Sequence, residues 1–391
     1  MSDDEMMSEG EEEMVVADLT NSDVVTKYRL AADIVNETVQ AVVKFATPGR
    51  NVLDICKIGD KIIEQKCSTV FKSKKIEKGI AFPTCVSVNE CVCHYSPLSS
   101  ESNVPVLVEG DLVKVDLGAH IDGFVAVAAH TFVVTPDNSV PTPVTGRAAD
   151  VMKAAYTAAE ACVKLIKPGV SNSVISNAIA QVANDFELNS VQGVLMHEMK
   201  QFVIDGNNVI IGREEIDQKV DDFEFEPAKV YTVDIVMSTG EGKPIERDSR
   251  TTVFKRAVDQ AYMLKMKASR YVFNEVNKKF PTLPFTIRAL DDEKQARMGV
   301  VECMKHDLLV GYPVLFEKQG DFVAHVKYTI LLLPSGTVKV TGVAVNPELY
   351  QSDKTVSDEI KAILATSSKT KKKKNKKKKK PAAGSQSMET D

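Results

Sequence analysis

The chain has no tryptophan, only six histidines in 391 residues, and no apolar run approaching the roughly 18 residues of a membrane span. The last absence excludes a helical transmembrane segment; the missing tryptophan has no functional reading. The opening stretch MSDDEMMSEGEEEM lacks the apolar segment of a secretory signal, so none is expected. The seven cysteines are odd in number and unevenly spaced, and no two pairs stand at zinc-binding spacing. They are expected to be reduced thiols of an intracellular protein, with Cys91 and Cys93 of the C-x-C step serving as small apolar residues.

Each end of the chain lacks one sign of charge. Residues 1–13 carry seven acids and no base. Residues 369–380 carry ten lysines and no acid: Lys369, Lys371, Lys372, Lys373, Lys374, Lys376, Lys377, Lys378, Lys379 and Lys380. The formal net charge of −5 hides this polarity. Neither segment buries enough apolar surface to offset the entropy of ordering, so residues 1–19 and 366–391 are expected to be disordered tails. An acidic tail is most often a solubility device. A lysine run this dense points to polyanion contact or nuclear targeting, with a purely solvating tail as the alternative.

Between the tails the apolar content is ample for a large core. Asn21 or Ser22 can cap a helix through Val25, Tyr28, Ala32, Val35, Val39 and Val42 that stops before Thr47-Pro48-Gly49. A second helix follows through Val52, Ile55, Ile58 and Ile62, then β-rich segments that include DLVKVDLGAHI and GFVAVAAHTFVV. The plan then restarts: helix, Lys167-Pro168-Gly169, helix, and later the strand KVYTVDIVMSTG. Pro48 and Pro168 are 120 positions apart, and Asp116 and Asp234 are 118 apart. Such a constant offset predicts duplicated α+β halves within one domain over residues 20–365. Residues 257–310 have helical periodicity broken by prolines, which predicts a helical insertion in the second half.

One strand poses a chemical question. Residues 321–334, DFVAHVKYTILLLP, have the content of a buried strand except for Lys327. A lysine there is either a snorkelling, solvent-directed residue or the occupant of a site where another residue type would do chemistry.

The segments AFPTCVSVNECVCHYSP, GDLVKVDLGAHIDGFVA, VYTVDIVMSTGEG and FVAHVKYTILLLP resemble, in order and spacing, the blocks of type II methionine aminopeptidases over about residues 20–345. With both charged tails and the substitutions below, the chain looks like a member of a non-peptidase branch of that family. The resemblance implies an α+β pita-bread fold of the creatinase/aminopeptidase kind, with pseudo-twofold halves and a helical insertion. The family's enzymes hold two divalent metals with two Asp, one His and two Glu. Matched to them, the first Asp is Asp116, and the second falls on Val127. The His falls around Met196, with His197 one position away. The first Glu becomes Asp234 and the last becomes Lys327, while His94 matches a substrate-side histidine. A cation at Lys327 opposes metal binding directly, and Val127 removes a ligand, so no metal, no cofactor and no catalytic residue is expected.

The resemblance implies an RNA-binding adaptor of ribosome biogenesis, translation and growth control, with cytoplasmic, nuclear and nucleolar pools. Its implied partners are rRNA and the large ribosomal subunit, other RNA, an ErbB-type receptor tail and transcription regulators, without membrane insertion. Lys265, Lys267 and Arg270 in the insertion are candidate RNA contacts beside the lysine run, with plain solvated surface as the alternative. Ile360, Ile363 and Leu364 share a helical face that either docks into a partner groove or packs on its own domain. Two rival readings stay open. One is a rearranged metallopeptidase using Asp116, His94, His197 and Asp234. The other is a module that holds nascent N-termini without cleaving them.

Overall fold

The computed structural model describes residues 18–215 and 218–367. The acidic stretch 1–13 and the lysines from Lys369 to Lys380 therefore lie outside the described residues. Within them, no helix is long and apolar enough to cross a membrane.

The first half opens with α1 (Ser22–Phe45) and α2 (Val52–Thr69). The Asn21 side chain accepts the Asp23 N–H and starts α1. Val24, Tyr28, Ala32, Val35, Val39 and Val42 form its buried stripe. Each such valine, fully buried, contributes about 1.5–3 kcal/mol relative to exposure. Leu19, placed with the tail by composition, is instead 5 % exposed and packed on the core. Three long strands follow: β1 (Lys78–Val88), β2 (Leu112–Ile121) and β3 (Phe124–Val133). The second half repeats the plan with α3 (Gly146–Leu165) and α4 (Asn172–Asp185), then β4 (Leu195–Met199), β5 (Val209–Ile211) and β6 (Lys229–Ser238).

The duplication extends to individual hydrogen bonds. The Gly49 N–H donates to Leu107 O at 2.8 Å, and the Gly169 N–H to Phe225 O at 3.0 Å. Leu107 N–H returns to Arg50 O, and Phe225 N–H to Val170 O, each at 2.9 Å. Gly49 and Gly169 sit at φ +85° and +77°, where only glycine is free of a Cβ penalty, so both Pro-Gly turns end their helices in one geometry.

The insertion departs from the helical expectation. Its helices are α5 (Lys267–Lys279) and α6 (Glu293–Lys305), but β7 (Val253–Arg256), β8 (Phe285–Thr286) and β9 (Leu309–Tyr312) build a small sheet of order β8-β7-β9 beside them. Residues 257–266, periodic enough to read as helix, form a loop instead. Glu302 holds that loop's end through the N–H groups of Lys265 and Met266, which fixes the helix start at Lys267.

The chain then enters β10 (Val323–Leu333), which crosses the centre of a nine-stranded sheet whose main path is β1-β2-β3-β10-β6-β4-β5. One face of β2, with Val113, Val115, Leu117 and Ala119, packs toward α1 and α2. The alternate residues, including Lys114 and Asp116, therefore point to the opposite face. In the final helix, α7 (Asp358–Leu364), the own-domain alternative holds over partner docking: Ile360 is 1 % exposed in the core of the second half, and Ile363 and Leu364 pack against it. The face that would enter a partner's groove is already used by the domain.

Candidate functional site

Cross-strand register brings distant residues into one row. Asp116 on β2 pairs with Ala129 on β3, Ala129 pairs with Lys327 on β10, and Lys327 pairs with Asp234 on β6. Side chains of such a row share one face of the sheet. Lys327 Nζ lies 2.8 Å from Asp116 Oδ2 and 3.1 Å from Asp234 Oδ2. It also stands 5.4 Å from the centre of the Phe82 ring, a cation–π contact. Only 12 % of the lysine side chain is exposed. The snorkelling alternative is thus excluded: the side chain points inward.

Electrostatics follow from this geometry. Burial alone would lower the Lys327 pKa, but Asp116 and Asp234 outweigh it and hold the ammonium charged well above the ordinary lysine range. Burial would likewise raise Asp234; Lys327 and His325 overcome it and hold the carboxyl far below its usual range. His325 Nε2 lies 2.7 Å from Asp234 Oδ1 and occupies that second oxygen. Asp116 Oδ1 is buried without a hydrogen-bond partner.

Around this cluster is a cavity of about 300 Å³. Val127 lines it, fitting against Gly118, where a Cβ would come within 2.8 Å of Val127 Cγ1. His197 lines the cavity, whereas Met196 is wholly buried in the core of the second half. The pleat turns His197, and not its neighbour Met196, toward the cavity. His197 Nδ1 lies 3.1 Å from the Gly206 carbonyl, an acceptor only, so Nδ1 carries the proton there. His94 also borders the cavity, with Nδ1 3.0 Å from Pro313 O and backbone φ of 64°. Its enclosed position pushes the imidazole down to about 4, against the opposing pull of Asp116.

Residues 26–252 match the family described as metallopeptidase family M24. The chain belongs to metallopeptidase family M24. Among its relatives, ErbB-3 binding protein 1 of Solanum tuberosum is 50 % identical over 368 residues, covering 93 % of each chain. Proliferation-associated protein A of Dictyostelium discoideum is 42 % identical, covering 94 % of each. Among solved structures, a thermophilic Arx1 superposes with a TM-score of 0.85 at 30 % identity, covering 90 % of this chain and all of that one. The fold is the M24 pita bread, and within the family the chain groups with the ErbB-3-binding, proliferation-associated proteins.

The two metals of M24 aminopeptidases do not fit the residues present. Such a centre needs several anionic oxygens around the ions. Here an ammonium stands between the two remaining carboxylates, and Val127 offers no donor atom. Among the described residues, no three His, Cys, Asp or Glu side chains are grouped to hold a metal ion.

Three contributors to the M24 site escaped the sequence reading. His325 is two residues before Lys327 on the same strand, so alternation alone places it on the same face. Ala129 is two residues after Val127 and shares its face for the same reason. Phe82 had no local signal. In the insertion, Lys265 and Lys267 are exposed, as RNA contacts would need. Arg270 is exposed too, yet its guanidinium donates to the carbonyls of Leu264 and Lys265, so it shapes the loop rather than standing free.

Proposed function

We propose that this M24 chain is a non-catalytic, ribosome-associated adaptor that binds RNA and acts in ribosome biogenesis, translation and growth control. The observation that carries the first part is the Lys327 ammonium between Asp116 and Asp234. A cation there repels the divalent ions that peptidase chemistry requires, while the large scaffold is kept. The names of the relatives, ErbB-3 binding and proliferation-associated, support a role in growth control and a receptor-tail partner. The charge layout supports the polyanion part. Ten clustered lysines displace many phosphate counterions, which gives strong, salt-dependent, sequence-tolerant binding. The large ribosomal subunit and its rRNA are the leading partner, with other RNA and transcription regulators beside it. The working locations under this reading are cytoplasm, nucleus and nucleolus.

Crosslinking followed by sequencing of bound RNA tests it. The full chain is expected to give a defined rRNA footprint. Deleting residues 369–380 should weaken binding at low salt and flatten the salt dependence while leaving the footprint in place, because lysine ammoniums act as hydrated point charges on phosphates and read no base edges. Charge reversal at Lys265 and Lys267 should lose the footprint and keep residual salt-sensitive binding. Absence of any rRNA enrichment would overturn the reading.

A second reading has its own support. The cavity keeps apolar walls in Val92, Val127, Val191 and Leu315, so it has the character of a small-ligand or peptide pocket. Titration calorimetry with Met-initiated peptides separates N-terminus capture from the ribosomal role.

A further inference from the structure

The insertion carries an aromatic pair that neither the degenerate centre nor the core employs. Tyr262, in the loop before α5, stacks on His306, the residue capping the C-terminus of α6, with ring centres 3.6 Å apart and planes within 11°. Tyr262 is nevertheless 38 % exposed. One ring face is covered by His306, so the exposure belongs to the opposite face and the edge. Buried aromatic pairs stabilise a core, but an exposed stack gains little from burial and leaves a flat π surface open to solvent.

The loop that presents this surface is held firmly. Glu302, one turn before His306 on α6, accepts the N–H groups of Lys265 and Met266, each at 3.0 Å. Arg270 donates to Leu264 O at 3.3 Å and to Lys265 O at 2.8 Å. Residues 262–266 therefore run along α6, pinned by a carboxylate on one side and a guanidinium on the other. Exposed cations lie close to the stack in sequence: Lys265 within the loop, Lys267 at the start of α5, and Lys305 next to His306. Asp259 and Asp307 are the exposed acids nearest in sequence, and the Glu302 carboxylate is engaged by the loop's N–H groups. Met263, 87 % exposed, adds an apolar edge.

An exposed, pre-organised aromatic face with exposed lysines near it in sequence has the chemistry of a seat for an unpaired nucleobase. We propose that the Tyr262–His306 stack binds one unpaired base of an RNA, the base extending the stack on the free face of Tyr262 while Lys265, Lys267 and Lys305 take adjoining phosphates. This rests on the RNA-binding reading above and adds where and how a base is held. A duplex, whose bases are already stacked, cannot use the seat.

The test uses the full chain and a fluorescent single-stranded RNA 12-mer of mixed sequence, the same RNA as a duplex, and a copy with 2-aminopurine at its centre. Tyr262→Ala should weaken single-strand binding about five- to hundredfold. It should leave duplex binding and the slope of log K against log salt unchanged, because no phosphate contact is lost. Tyr262→Phe should match wild type, and Tyr262→Leu, apolar but without a π face, should behave as the alanine variant. Wild type should quench 2-aminopurine, and Tyr262→Ala should not. Equal single-strand affinity for wild type and Tyr262→Ala overturns the proposal while leaving the RNA reading intact; no RNA binding by wild type overturns both. Should Tyr262→Ala keep RNA affinity but lose co-sedimentation with ribosomal particles, the patch is a protein contact and the base seat is wrong. Thermal melting of Tyr262→Leu and Tyr262→Phe at the wild-type temperature guards against a folding artefact.

Discussion

Lys327 reaches Asp116 across an intervening strand, over the methyl group of Ala129. Neighbouring strands lie about 4.8 Å apart, so the two backbones are separated by roughly 10 Å, a gap that the lysine and aspartate side chains span together from opposite sides. The pairing sequence Asp116, Ala129, Lys327, Asp234 puts all four side chains on one face, and the 2.8 Å contact closes the gap. Removing the ammonium leaves two carboxylates buried together. Lys327→Met should therefore destabilise the protein by about 3 kcal/mol. Adding Asp116→Asn should recover part of that loss. Paired denaturant titrations of the single and double variants measure it, and an unchanged midpoint for Lys327→Met would mean the pair contributes nothing.

Ala129 supplies the passage for the lysine. Ala129→Leu places a branched side chain in the path between Lys327 and Asp116, in a site only 2 % exposed. The expected result is a loss of about 1–3 kcal/mol from overpacking, increased by whatever the broken ion pair contributes. The two terms separate in a double-mutant cycle with Lys327→Met: the coupling energy should be favourable because the second change no longer has a bridge to break. Simple additivity would show that Lys327 reaches Asp116 by another route.

The other buried lysine on this face behaves in the opposite way. Lys114 is 1 % exposed and donates to the Asn89 carbonyl, with no carboxylate in ion-pair contact among the described residues. Burial pushes its pKa down to about 8, against the weaker pull of Cys91 and Glu90. Its folded value lies below its unfolded one, so the unfolded chain binds more protons between pH 8 and 10.5, and stability rises with pH in that window. Lys114→Met should flatten this rise. At pH 7 it should cost less than about 1 kcal/mol, since relief of the buried charge offsets the lost hydrogen bond. A loss as large as that of Lys327→Met would contradict the contrast.

Two buried histidines set an acid limit. Burial pushes both His120 and His130 down to about 4, in His120 against the opposing pull of Asp122. Between pH 6.5 and 4 the unfolded chain takes up protons that the folded chain refuses, so stability falls as the pH falls through that range. Each histidine accounts for up to about 3 kcal/mol of that fall. Melting temperatures of wild type and His130→Gln across pH 7 to 4 check this. The variant should show a shallower slope, and a parallel slope would assign the acid sensitivity elsewhere.

Local signals in the sequence were enough to anticipate the architecture. Asn21 and the Pro-Gly turns punctuate helices through backbone chemistry within a few residues, and the 120-residue offset repeated it. The inward lysine was legible only because an apolar strand makes a charge conspicuous. What it touches was harder to read. Asp116 is 211 residues away in sequence, and the reach depends on a small residue at 129 whose role no local pattern records. The same limit explains the departure in the insertion and the choice left open in α7. Apolar periodicity over residues 257–266 gave way to the Glu302 and Arg270 clamps, and periodicity at Ile360, Ile363 and Leu364 could not say whether the covering surface was a partner or the domain itself.

Metal binding tests most directly whether the Lys327 ammonium occupies the place of a metal bridge. Equilibrium dialysis with Mn²⁺ and Co²⁺, followed by assay on Met-Ala-Ser peptides, should find neither stoichiometric metal nor turnover in the wild-type chain. The combined Val127→Asp, Asp234→Glu, Lys327→Glu variant should gain metal affinity, with turnover a weaker expectation because supporting groups such as His325 were not built for that centre. Stoichiometric metal in the wild-type chain, with metal-dependent turnover near the ~1 per second or faster of an ordinary peptidase, would contradict the account.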